Sequence, residues 1–304
     1  MSFTGLVLFS SQVIYCLEIM ALTTQVIFVC IAAIIAIHYT GRSKIIMRGV
    51  DKAIFGSYGC IPAPKIEGLT MHYFKVRGRG EGIRIILQDN GVLYSEVNFS
   101  GEEWAEIKKR GIESGTFTFG QVPAITTKSG FRLVQSLAIV HYIGRSLGLD
   151  CECDDYHLCE VVALGAEDLR AKLGKVMYDP NFSMTKRNDY VANILPTWLS
   201  HFEKLAPAID KESNHSFFIS NRLTWIDYFL FDLIDINVEF VKHTRLYLVE
   251  SDIIEDIFEN FPKLGYFYKT FSQRPALRKY LLSNERLPFK LPYSPQSSMK
   301  NNTS

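Results

Sequence analysis

A surplus of charge of either sign is missing from this 304-residue chain: 33 Lys+Arg stand against 32 Asp+Glu, a formal net charge of +1. That balance carries no global signature of nucleic-acid binding, and no nucleic-acid partner is expected. Cysteine is also scarce. Six cysteines in a chain of this length do not make a disulfide scaffold. No two of them are spaced C-x-x-C, so dithiol redox chemistry lacks a carrier. H-E-x-x-H, G-x-S-x-G and a Walker loop are all absent, which leaves no motif for a zinc peptidase, a serine hydrolase or a P-loop enzyme. With 47% hydrophobic and 21% charged residues, wholesale disorder is excluded and a folded chain is expected.

Charge is missing locally as well. Residues 1–41 hold a single charged residue, Glu18, and residues 19–41 hold none. A helix spans a bilayer with roughly 20 mostly apolar residues, so this run is a candidate membrane anchor. Thr23, Thr24 and Gln25 weaken its start. No Lys or Arg precedes Arg42, whereas a signal peptide needs a basic leader. Arg42, Lys44, Arg48 and Lys52 follow the run, and the positive-inside rule then keeps the rest of the chain in the cytoplasm, tethered by its N-terminal segment. Two alternatives stand. The segment is dispensable or an over-extended gene reading, with Met47 or Met71 as the start. Or the chain enters the secretory pathway, which Asn-x-Ser/Thr sites at Asn98, Asn181, Asn214, Asn301 and Asn302 would suit. Residues 42–64 read as a linker broken by Gly56, Gly59, Pro62 and Pro64.

Beyond Pro64 the pattern divides into a small α/β domain over 65–148, a helical domain over 149–292 and a polar tail over 293–304. A strand over 69–74 leads into the Gly-rich turn 76–82 and an apolar-periodic helix ending near Gly91. Residues 94–99 alternate as a second strand, so the unit reads βαβ. Strands follow at 122–126 and 131–134, then a helix over 136–147. Pro123 places its strand at an edge or behind a cis turn. Later helices are expected over 160–178, over 185–205 with a kink at Pro196, after Thr224, from Ile253 and after Pro275. Thr224 followed by Asp227 is a capping-box start, with Ile219 as its staple.

Candidate chemistry gathers around the first strand. Gly78, Gly80 and Gly82 suggest an anion-cradling loop, but the G-x-G-x-x-G spacing fails at Ile83. Tyr73 precedes that loop. It is either strand packing or a hydroxyl that donates to a developing anion. Gln135-Ser136 opens a helix, either as a plain N-cap at Ser136 or as a site where helix N–H groups, a hydroxyl and an amide hold a carboxylate. Gly120-Gln121-Val122-Pro123 offers an amide and extended backbone for β-type pairing with a peptide. Cys151, Cys153, His157 and Cys159 match no zinc spacing, so a structural or solvent-facing role is expected and no metal.

In order and spacing these pieces resemble the cytosolic glutathione transferases, most closely the pi class. The resemblance runs over roughly 66–292. It rests on Tyr73-Phe-Lys-Val-Arg-Gly-Arg79, Trp104, Gly120-Gln-Val-Pro123, Gln135-Ser136, Glu167-Asp-Leu-Arg170, Asp189-Tyr190, Thr224-x-x-Asp227 and Arg274-Pro275. It implies a thioredoxin-like N-terminal domain of order βαβαββα, an all-α C-terminal domain and a homodimer. It also implies attack of the glutathione thiolate on hydrophobic electrophiles, a detoxification chemistry with glutathione as co-substrate and no metal. By position, Tyr73 is the catalytic hydroxyl and Arg79 adds positive potential. Trp104 and Lys108 or Lys109 hold the glycine end. Gln121 and the Val122 backbone hold the cysteinyl main chain. Gln135 and Ser136 bind the γ-glutamyl carboxylate, and Asp168 reaches the γ-glutamyl amine across the dimer. Phe74, Val76 and Tyr178 line the electrophile pocket, with Phe74 also beside glutathione. Phe119 is the aromatic key to the partner subunit. Three departures stand out: Lys75 replaces the usual Pro and alters the pocket mouth, the stretch 104–120 is longer, and residues 1–64 have no counterpart. The rival readings are a non-catalytic binder of glutathione or hydrophobic ligands, and a pore-forming relative. A single apolar run builds no pore without oligomerising.

Overall fold

The computed structural model describes residues 65–152, 154–210, 212, 217–245 and 256–292. The candidate anchor and linker, Cys153, Asn214, residues 246–255 and the tail from 293 lie outside the described residues; the helix expected from Ile253 is corrected, because 256–261 form a turn and the helix starts at Pro262. Among the described residues, no helix is long and apolar enough to cross a membrane.

β1 (Thr70–Phe74) buries Met71 and Tyr73 and leaves the residues between them half-buried, the period-2 pattern of a strand with unlike faces. The sheet has the order β2-β1-β3-β4. β2 (Ser95–Phe99) runs parallel to β1, with Tyr73 opposite Asn98. A parallel pair needs a crossover, which α1 (Glu81–Asp89) supplies. β3 (Ala124–Thr126) is antiparallel to β1, and β4 (Arg132–Val134) is antiparallel to β3. The Val122–Pro123 peptide is cis, so of the two places open to Pro123 the chain uses the turn, and β3 itself is internal.

The two faces of the sheet pack separately. Met71, Tyr73 and Ile125 join the main core with α1 and α3 (Ser136–Ser146). Ala124, Val134 and Phe99 face the other way, onto Phe117 and the half-buried Trp104 and Ile107 of α2 (Trp104–Glu113). The resemblance supplied α2; the local pattern marks it weakly, because its apolar face is so short.

The C-terminal domain is helical: α4 (Tyr156–Met177), α5 (Met184–Asp189), α6 (Leu195–Leu205), α7 (Trp225–Thr244), α8 (Pro262–Ser272) and α9 (Pro275–Leu281). α4 starts four residues before the expected Glu160. The helix expected over 185–205 runs on through helical backbone from Met184 to Leu205, and its irregularity is a π turn at Tyr190–Ile194, just before Pro196 rather than at it.

α7 is apolar nearly all round and is buried accordingly. Its start is the capping box expected from Thr224 and Asp227. Asp227 accepts from Phe218 N–H at 2.7 Å, Thr224 N–H at 2.8 Å and the Thr224 hydroxyl at 3.0 Å. Gly144 lets α3 meet α7, since a Cβ there would lie 2.4 Å from the Trp225 Cβ. Cys151 and Cys159 form a disulfide that joins the interdomain connector to the first turn of α4. His157 is exposed and pairs with Glu160 at 3.3 Å. Cys151 and Cys159 are therefore structural, and His157 faces solvent. Among the described residues no group of three or more His, Cys, Asp or Glu is arranged to hold a metal.

Candidate active site

β1 delivers Tyr73 to the mouth of the sheet, and the turn after it wraps the ring. The Tyr73 hydroxyl accepts the Arg79 N–H at 2.8 Å. A phenol has one proton and two lone pairs, so an N–H on one lone pair leaves the proton free to donate. Burial pushes the Tyr73 phenol up to about 12, with the nearby Tyr178 hydroxyl adding and the Arg79 N–H opposing. Tyr73 is therefore a neutral donor at physiological pH and not a base.

The glycines of the turn have a steric purpose. A Cβ at Gly78 would lie 2.5 Å from the Tyr73 hydroxyl, and one at Gly80 would lie 2.7 Å from the ring. Gly78 also has φ +42°, a region that L side chains avoid. The Gly-x-Gly spacing thus seats an aromatic ring rather than a phosphate. Gly78→Ala is expected to lower turnover at neutral pH as far as Tyr73→Phe does, with circular dichroism unchanged. Steady-state kinetics beside the spectrum check this.

Arg79 sits at the cleft edge, its Nη1 2.6 Å from Glu167 Oε2 and 3.5 Å from Ser136 Oγ. The Arg79 side chain is 42% exposed, so the ion pair itself adds little stability. Its use is to place a cation beside the cleft. Glu167 belongs to the E-D-L-R run, but sequence reasoning gave it no role of its own. Its Oε1 has no hydrogen-bond partner.

At the head of α3 the N-cap is Gln135, and Ser136 is the first helical residue. The plain-cap reading of Ser136 is thereby corrected: its buried hydroxyl faces Arg79 and makes no cap. Gln135 has φ 75°, the one positive φ outside glycine among the described residues. A strained residue persists where its surroundings over-determine it, and this one stands on the cleft wall beside free helix N–H groups.

The cleft has a volume of about 390 Å³. Arg79, Gln135, Ser136 and Glu167 form one wall. Phe74, Trp104, Gln121 and Val122 form the other, with Gly120 and Pro123. The Phe74 and Trp104 rings meet edge to face at 5.3 Å. Lys108 lays its stem over Gly120, whose Cβ would lie 2.7 Å from Lys108 Cε. Lys109 is exposed with no such contact to the cleft wall.

Other candidates lie around the cleft rather than on its wall. Tyr73 is buried beneath it. Val76 is half-buried and packs against the main core. Tyr178, at the end of α4, is 52% exposed and close enough to Arg79 and Tyr73 to be coupled to both electrostatically. Asp168 is exposed on α4, and Phe119 is 65% exposed. Lys75 is not on the wall of this cleft and lines a separate one with Arg84 and Glu96.

Comparison with known proteins agrees with this geometry. Residues 69–145 match the glutathione S-transferase N-terminal domain, and residues 167–284 match the C-terminal domain. The chain is 32% identical over 219 residues to glutathione S-transferase P 1 of Bufo bufo, covering 71% of this chain and 92% of that one. It is 30% identical over 217 residues to glutathione S-transferase P of Homo sapiens, covering 71% and 92%. The solved pi-class glutathione S-transferase of Onchocerca volvulus superposes with a TM-score of 0.58 at 24% identity, covering 70% of this chain and 92% of that one, which supports the fold. With the tyrosine, the cleft and both domains in place, the chain belongs to the glutathione S-transferase family.

Proposed function

We propose that this glutathione transferase binds glutathione along the cleft and ionises its thiol against the Tyr73 hydroxyl for attack on hydrophobic electrophiles. The observation that carries this is the Tyr73 hydroxyl: buried, neutral, and held by the Arg79 N–H with its own proton free. The γ-glutamyl carboxylate suits the head of α3, where Ser136 and the helix N–H groups converge. Glu167 Oε1, which accepts no hydrogen bond and has the Arg170 Nε at 3.8 Å, suits the γ-glutamyl amine, with Asp168 of a second subunit completing that end. Gln121 and Val122 border the cysteinyl backbone. Phe74, Val76 and Tyr178 suit the electrophile.

A free thiol ionises at about 8.5. Lowering that by about two units takes roughly 2.7 kcal/mol in favour of the thiolate. One hydrogen bond to a charged group contributes about 1.5–3 kcal/mol. Tyr73 is therefore sufficient for most of the shift, and the Arg79 charge adds to it.

Assembly as a homodimer is part of the proposal. Leu158, Val161 and Leu164 repeat every three residues along α4, and all are at least 40% exposed. Phe119 is the expected key residue. We also retain residues 19–41 as a tether holding the enzyme to a membrane in the cytoplasm, on the strength of their uncharged run and the basic residues after it.

The test is conjugation of glutathione to a chromogenic aryl halide by the full-length protein. Turnover supports the reading. Retention on a glutathione column without turnover favours the binder instead. At the glycine end, Lys108→Ala is expected to raise the KM for glutathione several-fold while Lys109→Ala leaves it unchanged. Equal effects in the same assay would overturn the assignment drawn from Gly120.

A further inference from the structure

We propose that the segment after α9 is a strap that sets the position of the loop under Tyr73, with Arg77 and Arg286 as positioning residues for the catalytic hydroxyl. This rests on the role given to Tyr73 above.

The loop 76–80 is held from two sides. On the inner side Arg84, buried to 2% exposure, donates to Val76 O at 2.9 Å and Arg77 O at 3.4 Å. It also forks onto Glu96 at 2.7 and 3.1 Å. On the outer side the Arg77 side chain turns away from the cleft. Its Nε donates to Leu287 O at 2.5 Å and its Nη1 to Glu239 Oε2 at 3.1 Å.

Arg286, next to Leu287, closes the arrangement. Its Nε donates to Glu81 Oε1 at 2.9 Å and its Nη2 to Asp235. Glu81 also accepts the Tyr280 hydroxyl at 3.3 Å. Glu81 and Asp235 are 1% and 4% exposed, and buried carboxylates persist only with a cation in place. Arg286 serves both. Residues 286 and 287 thus fasten α7, through Asp235 and Glu239, to the first residue of α1 and to the loop.

The consequence falls on Tyr73. Its hydroxyl is oriented by the Arg79 N–H, two residues beyond Arg77 on the same short turn. That hydrogen bond weakens steeply with misalignment, so a loop released by the strap holds the donor less well. Neither Arg77 nor Arg286 lines the cleft, and both guanidinium groups are engaged by Leu287, Glu239, Glu81 and Asp235 instead. Both act through the position of Tyr73.

Arg77→Gln in the full-length protein tests this. The readout is the ionisation of the thiol of bound glutathione, followed by thiolate absorbance against pH. The expected result is an upward move of about one pH unit, from about 6.5 to about 7.5, which cuts the thiolate at pH 7 about threefold. kcat at neutral pH falls about threefold and recovers in alkali, while the KM for glutathione stays within about twofold. Glu239→Gln, which removes one anchor and keeps the Leu287 bond, moves the ionisation in the same direction by less. It decides the matter if Arg77→Gln does not fold. Unchanged ionisation with only a lower melting temperature overturns the strap and leaves the transferase reading intact. A wild-type protein without bound thiolate or turnover overturns the transferase reading, and the strap with it.

Discussion

Tyr73→Phe lowers kcat for glutathione conjugation at pH 7 by about 25-fold: losing a charge-assisted hydrogen bond of about 2.7 kcal/mol moves the thiol midpoint from about 6.5 to about 8.5 and cuts the thiolate from about three-quarters to about 3%. The ring keeps its seat against Gly78 and Gly80, so the fold and the cleft survive. The KM for glutathione changes little, because the carboxylates, amine and backbone of the tripeptide are held elsewhere. The loss shrinks as pH rises toward the ordinary thiol range near 8.5, where the thiolate forms unaided. The sign follows from the phenol. Burial holds Tyr73 up to about 12, so it stays protonated from neutral pH through mild alkali and donates throughout. A pH–rate profile of the wild type therefore rises with the thiol alone and shows no falling limb below about pH 10. Stopped assays across pH for both proteins check the magnitude and the convergence together.

Asp227→Ala destabilises the fold by about 4 kcal/mol. Its carboxylate receives three buried donors, from Phe218, Thr224 N and the Thr224 hydroxyl, and each orphaned donor costs about 1–3 kcal/mol. Burial pushes the Asp227 carboxyl up to about 6, with those three donors opposing. It is thus ionised and accepting at neutral pH. The loss is concentrated at the head of α7, the buried helix on which α1, α3 and α4 pack. Denaturant titration is expected to show a lower midpoint with the slope kept, and kcat of the remaining folded protein near normal. A midpoint within experimental error of the wild type would remove the capping box from the account.

Much of the site was legible because its parts come at short range in the chain. Tyr73 with its Gly-x-Gly turn, Gln135-Ser136 at a helix head and Thr224-x-x-Asp227 each carry a local rule. What those rules could not say is which atom a side chain meets. Ser136 reads as a cap by residue type, but the residue before it takes that place and frees its hydroxyl for the cleft. The glycines read as a phosphate loop until the Tyr73 ring is placed against them. Lys108 and Lys109 are equivalent in sequence and are separated only by the turn that brings Gly120 under one of them. The Cys151–Cys159 pairing was one of several among six cysteines. The π turn at Tyr190–Ile194 carries no proline or glycine, so local propensity drew the kink at Pro196. The strap joins residues some two hundred positions apart, a distance at which pattern is silent.

The central claim is that the free proton of Tyr73 lowers the ionisation of the bound thiol. The most direct measurement is a titration of thiolate absorbance in the glutathione complex of the full-length protein, wild type beside Tyr73→Phe. The account predicts a midpoint about two units below the free-thiol value of about 8.5 in the wild type, and a return close to it in the variant. Midpoints equally depressed in both proteins, or near 8.5 in both, would contradict it.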